Sequence, residues 1–346
     1  MGKFLYKLIA VLVLAGSFAV GWLLMDYNQF SDEPLNITAD GLYLEIISGD
    51  TLKKIARKLA DQGVLEHPQY LVWMARLAGN ANEIKIGEYQ FKQGDSPRQL
   101  LNKIVRGEII QYAATIVEGM TFRELLDNLG KHEHLVHTLQ KLKPSKVMER
   151  LGHKGEHPEG RFLPDTYHFP RGTTDVEFLQ RAYNAMQDFL SREWEHREVG
   201  SPLKNEYDAL ILASIVEKET AVPEERSKIA GVFTRRLLKN MRLQTDPTVI
   251  YGLGKKFDGN LRRRDLKNET PYNTYRIKGL PPTPIAMPGK DSIRAAINPE
   301  PGDELYFVAK GDGSHVFTSN LDDHNNAVIK YQLKGKRKNF SSYKKK

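Results

Sequence analysis

The sequence predicts an α+β fold: an N-terminal transmembrane helix, small strand–turn–helix modules, then a mixed α+β domain built around a buried central helix. Three observations carry that expectation. Leu8 to Met25 is an 18-residue run without a charge. A strand, a glycine turn and an amphipathic helix recur between Gly41 and Leu129. Ala209 to Val216 is apolar at every position except Ser214, and a helix apolar on every side is a buried one.

The 346 residues leave room for two or three domains, and 40% hydrophobic with 27% charged residues describes an ordinary folded protein. An excess of 51 Lys and Arg over 43 Asp and Glu gives a net charge of +8. Part of it sits in residues 334–346, expected as a basic, solvated tail. A basic balance suits nucleic acid, anionic lipid or an acidic polymer. No nucleic-acid motif accompanies it, so no nucleic-acid partner is expected. The absence of cysteine excludes disulfides, thiolate zinc sites, a cysteine nucleophile and a lipoprotein anchor.

Residues 1–7 carry Lys3 and Lys7, which place them in the cytoplasm, with residues 8–25 as the anchor. A cleaved signal peptide with Ser17 and Ala19 as its small residues is the competing reading. The apolar run continues past them through Trp22, Leu23 and Leu24, which favours an uncleaved anchor. Residues 26–40 form a polar spacer. Residues 41–130 hold the modules: a strand over Leu42 to Ile47, a turn at Ser48 to Thr51 and a helix over Leu52 to Leu59. The same order recurs at Tyr89 to Ile104 and at Thr115 to Leu129.

Residues 131–333 form the larger domain. Helical segments are expected over Lys131 to Leu151, and Glu159 to Tyr167 breaks the pattern. Amphipathic helices follow over Asp175 to Glu195 and Glu224 to Leu238, flanking the central one. Tyr251 to Asn298 is rich in Gly and Pro and poor in helix. A hairpin over Leu305 to Thr318 and a helix over His324 to Leu333 close the domain.

The central helix runs into Glu217, Lys218, Glu219 and Thr220. Helical spacing puts Glu219 on the stripe of Leu212, Ile215 and Val216, where desolvation raises a carboxyl pKa toward the general-acid range. Glu217 falls on another face. The plainer alternative is that these charges are the solvated end of a core helix. Gln244 to Thr248 and Tyr272 to Tyr275 are dense in hydrogen-bonding and aromatic groups, as sugar-binding loops are. Metal-ligand spacing, a GxSxG elbow, a P-loop and a dinucleotide fingerprint are all missing, so neither metal nor cofactor is expected. Carboxylate chemistry on a polysaccharide remains.

Two resemblances add to this reading. Gly49-Asp50-Thr51-Leu52 with Ile55-Ala56 resembles a LysM module, which implies binding to glycans containing N-acetylglucosamine; a plain spacer is the alternative. The chain from Gly41 to Leu333 closely resembles the endolytic murein transglycosylase (MltG, or YceG-like) family. The resemblance rests on Glu159-Gly160, Pro164 to Tyr167, Ala213 to Thr220, Arg242 to Gly252, Tyr272 to Tyr275, Gly279 to Pro282, Pro288-Gly289 and Ala295-Ala296. It implies a membrane-anchored lyase in the periplasm, single-pass in the inner membrane. Such an enzyme cuts the bond from N-acetylmuramic acid to N-acetylglucosamine inside nascent peptidoglycan strands and leaves 1,6-anhydro ends. Strand termination and work beside peptidoglycan synthases are implied with it. Glu219 would be the acid and base. Glu217, Asp165, Thr166, Tyr167, Gln244, Thr245, Asp246, Tyr251, Tyr272, Asn273 and Tyr275 would bind substrate. A non-catalytic wall-binding scaffold and a hydrolase pairing Glu219 with Asp246 or Asp165 stay open beside it.

Overall fold

A computed structural model describes residues 2–197 and 199–333; the basic tail expected over residues 334–346 lies outside them. The chain forms two compact units. One comprises the residues up to Tyr112 with Phe169–Gly172; the other comprises Ala113–His168 and the chain from Thr173 onward.

In the first unit, α1 (Gly2–Asp32) is a single helix whose stretch Phe4–Asp32 is long and apolar enough to cross a membrane. It is followed by β1 (Leu42–Ile46), α2 (Leu52–Asp61), α3 (Pro68–Leu77), β2 (Gly87–Phe91) and α4 (Pro97–Arg106). Strands β1 and β2 pair antiparallel with Leu44 opposite Tyr89 and Leu42 opposite Phe91. Alternation sends Leu44, Ile46, Tyr89 and Phe91 to one face, where they pack with Leu52, Ile55 and Leu59 of α2 and with Leu71, Leu100 and Ile104. Thr51 accepts from the Lys54 amide at the start of α2, and Ser96 and Gln99 form a capping box on α4.

The second unit is mostly helical. After β3 (Tyr112–Thr115) come α5 (Phe122–Leu129), α6 (Pro144–Arg150), β4 (Thr166–Phe169), α7 (Asp175–Glu195) and α8 (Glu206–Glu219). Then follow α9 (Arg226–Leu238), α10 (Asp246–Leu253), α11 (Arg263–Lys267), α12 (Lys290–Ile297), β5 (Tyr306–Ala309), β6 (His315–Thr318) and α13 (Leu321–Tyr331). The third strand–turn–helix of the sequence therefore lies on this side of the division, its helix α5 started by a capping box of Thr121 and Glu124.

Every residue of α8 from Ala209 to Val216 is buried, with α7, α9, α10 and α12 packed around it. Each fully buried Leu, Ile or Val there contributes about 1.5–3 kcal/mol relative to exposure. Ser214 is tolerated because its hydroxyl donates to the Ile211 carbonyl at 2.7 Å and accepts from the Ile285 amide at 3.0 Å. Asn205 caps the helix, and Glu206 and Asp208 oppose the positive end of its dipole.

Three stretches differ from the sequence pattern. Most of residues 131–151 is irregular, with helix only over Pro144–Arg150. Its backbone is held elsewhere: Val136 bridges to Thr174, and the amides of Thr138 and Leu139 both donate to Asp175 at 2.9 Å. Helix α9 starts at Arg226 because Pro223–Glu225 forms a tight 3-10 turn first. The Gly- and Pro-rich segment contains α12, whose face of Ile293, Ala296 and Ile297 is buried in the core.

Candidate active site

Glu219 is the last residue of α8, and Thr220 leaves the helix with extended backbone angles. The packed helix delivers the carboxyl to the rim of the core, where it is half-buried. The Thr245 hydroxyl donates to its Oε1. Loss of hydration pushes the carboxyl up to about 7, reinforced by the negative charge of Asp246. The Thr245 hydrogen bond, His315 and Arg236 pull the other way without cancelling it. A carboxyl in this state is protonated over much of the neutral range and can give up its proton.

Thr245 is held from several directions. Its amide donates to Thr274 Oγ1 at 3.1 Å, and its carbonyl accepts from the Thr248 hydroxyl at 2.8 Å. Thr248 and Thr274 hydroxyls meet at 2.9 Å, and all three threonines are buried. Gln244, just before, adopts a left-handed φ of 53° and is exposed, while its amide donates to the Thr274 carbonyl at 3.2 Å. Arg236 braces the same strand of chain by donating to the Leu243 carbonyl at 2.7 Å. The Tyr275 hydroxyl donates to Asp246 Oδ1 at 2.6 Å, and burial together with that carboxylate raises the phenol pKa. Asn273 is fully buried; its side-chain amide donates to the carbonyls of Asp265, Leu266 and Asn268, so it shapes the loop from inside.

At the other end of α10, Tyr251 donates to Glu159 Oε2 at 2.9 Å and meets Tyr272 edge-on at 5.0 Å. Glu159 also accepts from the Phe122 amide at 2.8 Å, at the start of α5. Burial pushes its carboxyl up to about 7 against both hydrogen bonds. Glu159 and Tyr251 sit in a cleft of about 900 Å³ whose rim carries Arg123, Lys131, Lys141 and Lys255.

Glu217 points to a separate cluster. Its Oε2 accepts from the Gly289 amide at 2.9 Å and the Ser292 hydroxyl at 2.7 Å, and Arg226 lies 4.0 Å from its Oε1. Arg226 also approaches Glu118 and Asp291, each at 3.8 Å. Asp165 is bound to Lys290 at 3.0 Å, a contact that lowers its pKa, and Thr166 meets Thr115 at 2.9 Å. Tyr167 is buried and spends its hydroxyl on the Leu163 carbonyl at 2.8 Å.

Around Glu219 the structure thus assembles Thr245, Asp246 and Tyr275, with Asn273 and the Gln244 backbone in support. Tyr251 and Tyr272 gather about Glu159, while Glu217, Asp165, Thr166 and Tyr167 stand apart from Glu219. Glu159, Thr248 and Thr274 lie within motifs that the sequence singles out but that assign them no individual role, and neither Glu118 nor Arg226 stands out as a site residue in the sequence. Thr248 lies three residues from Thr245 on α10, the one spacing signal that points to any of them. His315 is satisfied, its Nδ1 lying 2.6 Å from Glu225.

Comparison with known proteins gives a consistent match. The YceG-like family model matches residues 44–330. An endolytic murein transglycosylase of Bacillus subtilis is 32% identical over 343 residues, covering 92% of this chain and 91% of its own. One from Streptococcus pneumoniae is 28% identical over 88% of this chain, which spans 61% of that longer relative. A crystal structure of a yceG-like protein from Listeria monocytogenes, 28% identical, matches with a TM-score of 0.52 over 84% of this chain and 99% of its own.

Proposed function

The chain belongs to the YceG-like family, and from that premise we propose that it is a lytic transglycosylase acting on murein. It cleaves the β-1,4 bond from N-acetylmuramic acid to N-acetylglucosamine within glycan strands and leaves 1,6-anhydro ends. The observation that carries this reading is the Glu219 carboxyl at the end of the buried helix, raised to about 7 and oriented by the Thr245 hydroxyl.

With Thr245 on Oε1, the proton sits on Oε2. Glu219 donates it to the leaving glycosidic oxygen as an oxocarbenium-like transition state develops. The resulting carboxylate takes the proton of the sugar's C6 hydroxyl, whose oxygen bonds to C1. Bond breaking and bond making balance without water, and the acid is regenerated. Because the nucleophile belongs to the substrate, no second catalytic carboxylate is required. Asp246 is engaged by Tyr275 and Asp165 by Lys290, which disfavours either as a partner nucleophile. Gln244, Asp246, Tyr251, Tyr272 and Tyr275 present polar and aromatic surface for sugar rings. Glu217 and Asp165 with Thr166 line a neighbouring face, and Asn273 and Tyr167 act through the loops they brace.

The same reading puts residues 1–7 in the cytoplasm, residues 8–25 of α1 in the inner membrane and the rest in the periplasm, where nascent strands are made. Termination of those strands beside peptidoglycan synthases is the corresponding role. The β1–α2–α3–β2 unit would serve as a LysM-like glycan contact. The test of the site compares two isosteric variants on purified murein. General acid–base help is worth about 100- to 10,000-fold, so Glu219→Gln should lower anhydro-product formation at least by the smaller figure and still melt near wild type. Glu217→Gln should keep most activity; the reverse outcome assigns the chemistry to Glu217.

A further inference from the structure

Helix α3 of the first unit is apolar on two sides. Leu71, Met74 and Ala75 face the core, as expected of an amphipathic helix. The opposite side, at helical spacing, carries Trp73, 43% exposed, and Leu77, 77% exposed, with Arg76 flanking Trp73. Large apolar side chains so placed mark a surface that meets something other than water.

What they meet follows from α1. Tyr70 of α3 donates to Asp26 of α1 at 2.5 Å and packs edge-on against Phe30 at 5.3 Å, so the two helices are joined. Leu23 and Leu24, at the end of the charge-free run of α1, line an apolar hollow of about 390 Å³ together with Tyr27, Trp73 and Leu77. A helix of 31 residues is about 46 Å long, well beyond a hydrocarbon core of about 30 Å. Its last turns therefore stand outside the bilayer, and α3 docks where the apolar shaft ends. Trp and Tyr favour that depth, and a cation beside them meets lipid phosphate.

We infer that the outer face of α3 is a membrane-contact surface: Trp73 and Leu77 enter the headgroup–acyl boundary while Arg76 binds an anionic lipid phosphate. This rests on the reading of α1 as a membrane anchor. It makes the first unit a foot pressed on the bilayer, where a tether alone would leave it free.

The test uses the full chain in vesicles of phosphatidylethanolamine and phosphatidylglycerol with brominated acyl chains. The protein has three tryptophans. Trp22→Phe with Trp194→Phe leaves Trp73 as the reporter; Trp73→Phe with Trp194→Phe leaves Trp22. Residues at the boundary sit about 5–10 Å into it, so shallow bromines should quench Trp73 more than deep ones do, and deeper bromines should act more on Trp22 than on Trp73. Quenching of Trp22 without Trp73 overturns the inference and leaves the anchor standing; quenching of neither overturns both. As a second measurement, at a position 77% exposed, Leu77→Cys gives this cysteine-free chain a unique nitroxide. Greater accessibility to oxygen than to a water-soluble nickel chelate supports membrane contact, and the opposite ratio refutes it.

Discussion

Burial sets how acidic Glu219 is, and the Thr245 hydroxyl moderates it by favouring the ionised carboxyl. The free enzyme must enter the reaction protonated, so turnover should fall as pH rises through about 7. Thr245→Val removes the donor and leaves burial opposed only by His315 and Arg236. The expected result is a slower enzyme whose alkaline midpoint lies above that of wild type in a kcat/KM–pH profile. An unmoved midpoint would separate Thr245 from the acid. Stability has the same sign. A carboxyl whose folded pKa is raised stabilises most below its unfolded value, about 4.3 for Glu, and that contribution is lost as pH rises through about 7. Glu219→Gln should therefore flatten the decline of melting temperature between acidic and mildly alkaline pH.

The elements bring these residues together through a few close approaches. Gly160 follows Glu159 with φ of +78°, and a Cβ there would lie 2.6 Å from Cβ of Pro284, a ring that cannot swing aside. Gly160→Ala combines left-handed strain of about 1–2 kcal/mol with overpacking of about 1–3 kcal/mol. It should lower the melting temperature and, by shifting Glu159 from Tyr251, depress activity; an unchanged melt contradicts the packing described. Much at this scale was legible in the sequence. Thr51, Ser96 and Thr121 announce helix starts because capping is local chemistry, and the position of Glu219 relative to Val216 and Leu212 is fixed by helical geometry alone. Residues 131–143 read as helix because nothing local reveals that Asp175 takes their amides. Glu159 has no signature, because its meaning depends on Tyr251 some ninety residues later. Tyr167 looked like a loop aromatic, but β4 turns it into the core.

For the whole molecule, the family assignment carries over an activity, while the two-unit organisation raises the question of what the first unit adds. If its β1–α2–α3–β2 unit touches glycan, deleting residues 41–107 should weaken co-sedimentation of the protein with insoluble murein; unchanged pelleting makes the segment a spacer. The central claim is that one carboxyl and the sugar's own hydroxyl suffice, so that the strand is cut without water. Mass analysis of the fragments released from murein by the full chain tests it most directly. Muropeptides ending in 1,6-anhydro-N-acetylmuramic acid are the expected products. Fragments with free reducing ends, heavier by one water, would contradict it and make the protein a hydrolase, and the absence of fragments would leave it a binding scaffold.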